Sequence, residues 1–169
     1  MSASDLVHLL ARAHPAVVHA PLGAALFLPA ALGLALRARR HRRPAAREWL
    51  RTAWFLAILG VLGGLAAIVS GYAFARELGG IAPGAWLARP VRPEPSFPAL
   101  LRHHQILALL GLPAGVACLA LLARSRRGGA WALGAALLAA LVWLGLWGAA
   151  GHWGGRMVFR DPAADGERP

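Results

Sequence analysis

The chain has no lysine, one cysteine, one tyrosine, and only seven acidic residues against eighteen arginines. Each shortage removes a class of chemistry. The lone Cys118 can form no intrachain disulfide, and with no Cys-x-x-Cys-His motif a c-type haem cannot be attached covalently. No two carboxylates fall inside an apolar run, which argues against a proton-pumping relay. No glycine-rich phosphate loop follows a strand, so an ATP site is not expected. Ser70 has no sequence-adjacent base, which makes a hydrolase a poor reading. The missing lysines match a GC-rich coding bias, so arginine standing in for lysine carries little meaning.

What the chain does have is apolar surface. Of its 169 residues 58% are hydrophobic, and the mean hydropathy is +0.54. A soluble domain of this length would need more polar surface to cover itself. Four apolar runs stand at about 15–36, 52–74, 104–123 and 130–150, each the length that crosses a hydrocarbon core of roughly 30 Å. The net charge of +11 would point to nucleic acid only if a soluble fold presented a basic face. Here the arginines concentrate between apolar runs, which is the membrane pattern, so lipid and not nucleic acid is the expected partner. The expected class is an all-α integral membrane four-helix bundle. It forms a single domain over 1–160, followed by a polar, flexible tail over 161–169.

Along the chain, 1–13 reads as a short helix lying in the membrane interface, capped by Ser4 or Asp5. Pro15 suits the first turn of span one, with His14 near the cap. Pro21, Pro29 and later Pro113 should kink their spans. The segment 37–51 carries seven arginines and reads as a connector too charged for lipid. In span two, Gly60 and Gly64 form a GxxxG pair that would let another helix backbone approach. Residues 75–102 hold five prolines and read as an irregular external loop. Trp86, Trp147 and Trp153 are expected to supply an interfacial aromatic belt.

The arginine-rich connectors after spans one and three are cytoplasmic under the positive-inside rule, so both termini and the loop 75–102 face outward, to the periplasm if the cell has two membranes. With that orientation His8, His14, His19, His103, His104 and His152 all fall at the outward ends of spans. Only His41 lies inside. His14 and His19, five residues apart, differ by a rise of about 7.5 Å and a turn of roughly 140°, so they need not serve one metal atom together. His103 and His104 diverge by about 100°, so at most one faces the bundle centre, and His104 is the better candidate.

Several neutral imidazoles at one membrane level suit haem ligation, and also copper, zinc or non-haem iron. The expectation is haem b, one or two groups, with copper or zinc as the rival. His19 and His104 are the leading axial pair. His14 and His152 form a second pair or supporting contacts, and Arg102 and Arg156 stand at the level of the propionates.

The motifs His14-Pro15-x-x-x-His19-x-Pro21, Ser70-Gly71, and Gly151-His152-x-Gly154-Gly155-x-x-Val158 resemble those of a bacterial four-span membrane family classed as a domain of unknown function. Its members open with His-Pro-x-x-Val-His-Phe-Pro and close with Gly-Gly-x-x-Val-Tyr. The resemblance covers nearly the whole chain. Ala20 and Phe159 depart from it, and Arg160-Asp161-Pro162 replaces the family's usual continuation. It implies a membrane redox context, with partners such as a c-type cytochrome or a Rieske-type protein. The function expected is that of an electron-transfer subunit on the periplasmic side. The alternative is a non-enzymatic scaffold or assembly subunit.

Overall fold

A computed structural model of the chain describes residues 2–79, 97–127 and 130–158. The tail, Trp86 and most of the expected outer loop lie outside the described residues. Five helical segments follow in order: α1 (Ala3–Val17), α2 (His19–Arg40), α3 (Ala45–Gly79), α4 (Phe97–Arg126) and α5 (Ala130–Val158). No strand occurs among the described residues. Four stretches are long and apolar enough to cross a membrane: Ser4–Arg40, Ala45–Ala75, Leu100–Arg126 and Trp131–Arg156. This is the pattern of a multi-pass membrane protein.

The first of those stretches corrects the reading of 1–13 as a separate interfacial helix. Segments α1 and α2 form one rod with a seam at Val18, whose backbone itself stays right-handed helical (φ −66°, ψ −20°). Backbone bonds run across the seam from Val18 N–H to the His14 carbonyl and from Leu22 N–H to the Val18 carbonyl. The interruption has a covalent cause, since Pro21 has no N–H to donate to the Val17 carbonyl. Pro21 occupies the first turn of α2, where the missing donor costs least, while Pro15 sits in the last turn of α1. Helices α2 and α4 continue unbroken through Pro29 and Pro113. The N-terminus is capped by Ser2, whose hydroxyl accepts from Asp5 N–H (3.2 Å) while its own N–H donates to the Asp5 carboxylate (2.7 Å).

The arginine-rich connector is also shorter than expected. Helix α2 runs to Arg40 and α3 starts at Ala45, because alanine and arginine are strong helix formers. The turn between them is a Schellman motif, with Arg43 N–H on the Ala38 carbonyl (2.8 Å) and Arg42 N–H on the Arg39 carbonyl (3.1 Å). Arg42 takes the left-handed position at φ 51° that glycine usually fills.

The helices close into a ring. Each of α2, α3, α4 and α5 packs on its chain neighbour, α5 returns to α2, and α1 extends the first rod along α3. The register is antiparallel: His14 faces Gly71, Pro21 faces Gly63, and Ala24 faces Gly60. Buried alanines line the seams (Ala24, Ala25, Ala31 and Ala35 on α2, Ala53 and Ala57 on α3, Ala132, Ala136 and Ala140 on α5). Small side chains let helices approach closely where lipid offers no hydrophobic drive.

Trp143 and Trp147 of α5 fill the centre. A Cβ on Gly60 would strike the Trp143 ring and one on Gly64 the Trp147 ring, although α3 stands diagonally across from α5. On the other side the same rings lie on α4, with Trp147 against Gly111 and Trp143 against Gly115. The Gly60–Gly64 pair therefore admits indoles and not a helix backbone, and Gly111–Gly115 forms a second such pair. Trp147 is only 6% exposed, so it belongs to the core and not to an interfacial belt.

Candidate functional site

The up-and-down ring puts the arginine-rich turns at one end and His14, His104 and the C-terminal part of α5 at the other. His14 leaves α1 toward α3. Its Nδ1 lies 3.0 Å from the Ser70 hydroxyl, and its ring stacks on Phe74 with centroids 5.7 Å apart. The absence of a side chain at Gly71 makes room for it, since a Cβ there would sit 3.0 Å from His14 Cε1. Ser70 is 1% exposed, and its hydroxyl also lies 3.2 Å from the Ala67 carbonyl. With the hydroxyl proton on that carbonyl, His14 would donate through Nδ1–H and keep Nε2 for a ligand; with it on Nδ1, His14 would be the acceptor.

His104 repeats the arrangement on α4. Its Nδ1–H donates to the Ala150 carbonyl on α5 at 2.7 Å, and the ring lies over Gly154, where a Cβ would come within 3.1 Å of Nδ1. His104 presents Nε2 as the lone-pair nitrogen. Both rings are half-buried. Two imidazoles, one on α1 and one on α4, are thus each oriented by a partner at Nδ1. That is how proteins prepare a histidine to ligate through its other nitrogen.

The remaining histidines are not drawn into this pair. His19 is exposed, and its Nδ1–H donates to the Pro15 carbonyl at 2.6 Å, across the seam between α1 and α2. His103 is exposed and stacks on Trp153 at 5.1 Å, and His152 meets the same indole edge-on at 5.8 Å. Arg156 lies over Trp153 at 5.2 Å, while Arg102 is half-buried one turn before the site on α4. Among the described residues no three His, Cys, Asp or Glu side chains converge as a metal-ligating group.

One polar residue here escaped the sequence reading. Gln105 follows His104, and its Oε1 is buried with no donor. The signal was available, since an amide in the first turns of an apolar run has no reason to be there except a polar neighbour. Deeper in the bundle the Trp143 and Trp147 N–H groups are likewise buried without acceptors.

Fold and site together define a class: a multi-pass membrane bundle that carries two half-buried histidines, each held at Nδ1, at one end. No family model matches the chain, and no curated protein or solved structure does either.

Proposed function

We propose that the protein is a b-type haem subunit that passes electrons at the outward face of a bacterial inner membrane, with His14 and His104 as the axial pair. The observation that carries this reading is the matched state of the two rings. Each ring is held at Nδ1 by a fixed oxygen, Ser70 Oγ or the Ala150 carbonyl, so that Nε2 would be the nitrogen offered to a ligand. A bis-imidazole haem needs only two protein ligands, whereas structural zinc sites take four and catalytic ones three. The donor set therefore favours haem over copper or zinc.

When bound, haem would supply one-electron transfer. The chain's own part is to orient two imidazoles through their Nδ1 partners and to exclude water with Phe74 and the Trp147 level below. Arg102 and Arg156 would pair with carboxylates at the rim, and Gln105 offers a buried, unclaimed amide oxygen. The arginine-rich turns argue for a cytoplasmic opposite end, both termini outside, and a periplasmic redox partner such as a c-type cytochrome or Rieske-type protein.

The test is a reduced-minus-oxidised visible spectrum with iron analysis on the detergent-purified protein, beside His14→Ala and His104→Ala. A reduced α-band that either substitution removes supports the reading. A folded protein with neither iron nor an α-band would sink it. The competing scaffold reading rests on the exposed His103, His152 and Arg156 grouped around the half-buried Trp153, a pattern like that of a protein-contact surface.

A further inference from the structure

We infer that the arginine-rich end of the bundle holds an anionic phospholipid headgroup in the seam between α3 and α4. Ten arginines stand at this end: Arg37, Arg39, Arg40, Arg42, Arg43, Arg47 and Arg51 around the first turn, and Arg124, Arg126 and Arg127 around the second. The one carboxylate there among the described residues, Glu48, is already bound by Arg51 at 2.9 Å. The other nine guanidinium groups have no carboxylate at this end within the described residues, and so many like charges require counter-charge from outside the chain.

The seam is marked by three independent features. Arg126 of α4 lies over the Trp54 ring of α3 at 4.6 Å, which bridges the two helices and fixes one guanidinium at the mouth. Arg47 and Arg51 precede Trp54 by seven and three residues, the helical spacing that puts all three on one face of α3. Beyond Trp54, α3 leaves Phe55, Ile58 and Leu62 exposed, an apolar surface for the acyl chains beneath the headgroup. An indole at the interface with guanidinium groups above it matches a phosphate at headgroup depth and apolar chains below. Arg124, also on α4, points elsewhere: it lies over Trp131 of α5 at 5.5 Å, and that residue is 61% exposed.

This inference does not depend on haem, and its test reads lipid directly. The full chain is purified in a neutral detergent and exchanged into discs of phosphatidylcholine with and without cardiolipin or phosphatidylglycerol. Retained lipid is then counted by native mass spectrometry, with thermal unfolding followed alongside. The expectation is selective retention of the anionic lipid and a higher unfolding temperature with it. Retention should weaken about fivefold in Arg126→Gln and in Arg47→Gln, the scale of one basic side chain at an anionic surface. Arg47→Gln changes only an exposed side chain, so it remains informative if Arg126→Gln fails to fold. Arg40→Gln, at the same end but on α2, should leave retention unchanged. Equal loss in all three variants would show a diffuse charge effect and overturn the seam. Stabilisation by millimolar inorganic phosphate without any lipid retained would show a free-anion site and overturn the lipid assignment.

Discussion

His104 reaches across from α4 to the Ala150 carbonyl of α5, and the glycine one turn further, Gly154, is what lets the ring lie there. Its neighbour His103 turns outward onto Trp153. The two adjacent imidazoles therefore differ in what their loss would do. His104→Ala is expected to abolish the haem α-band, whereas His103→Ala should leave its position and intensity unchanged. Paired spectra at equal protein concentration check this, and identical behaviour of the two variants would refute the geometry.

Ser70 gives a second handle on the same site. Ser70→Ala removes the hydroxyl partner of His14 Nδ1 and leaves that nitrogen partly buried, at a cost of about 1–3 kcal/mol in stability. Loss of such a supporting contact also weakens cofactor binding by roughly 10–100-fold. Both effects are measurable, by thermal unfolding of the apoprotein and by haem titration. Full retention of both would show that the Ser70 contact is incidental.

The glycines of the core should be far less tolerant than those on the outside. Gly111→Ala and Gly64→Ala place a methyl group into the Trp147 ring, and Gly60→Ala places one into Trp143. Each is expected to destabilise by about 1–3 kcal/mol through overpacking. Gly145→Ala, where a Cβ meets nothing within 4 Å, should be neutral or stabilising by a few tenths of a kcal/mol to about 1 kcal/mol. Reversible unfolding in mixed micelles ranks the four variants.

Arg42 spends conformational energy at φ 51° that glycine would not. Arg42→Gly should stabilise the α2–α3 turn by roughly 1 kcal/mol, the left-handed penalty of an L-residue. A raised midpoint of thermal unfolding is the expected reading, and a lowered one would mean that the Arg42 side chain has a contact worth more than the strain.

His19→Ala tests the seam of the first rod. The Pro15 carbonyl loses its imidazole donor, but the site is exposed and water can replace it. The expected cost is about 0.5–1 kcal/mol with the spectrum unchanged. A lost α-band would move the axial assignment from His14 to His19.

The number of spans was legible because length and hydropathy are one-dimensional properties: all four runs lie within the four long helices. Their ends were not, because arginine ends a hydrophobic run without ending a helix, as Arg37 to Arg40 show. The reach of α1 was hidden for a related reason. Its packing along α3 depends on Ala11 and His14 meeting a partner some sixty residues away, which no local period reports. The gathering of histidines at one end followed from topology, but which of them turn inward depended on helix phase. One residue of phase separates His104 from His103. Trp147 was misread for want of its counterpart: glycines four apart on α3 and α4, and tryptophans four apart on α5, state their complementarity only when set side by side.

That central column of indoles has one more consequence. With Trp143 fully buried, Trp147 nearly so, and their rings 5.6 Å apart in an edge-to-face pair, the axis of the bundle holds no aqueous lumen at mid-depth. In this packing of the described residues solvated ions meet no open path along the axis, and a planar-bilayer recording of the single chain is expected to stay at baseline. Under the function proposed above, that closure suits one-electron exchange at the histidine end, which needs no open path through the bundle.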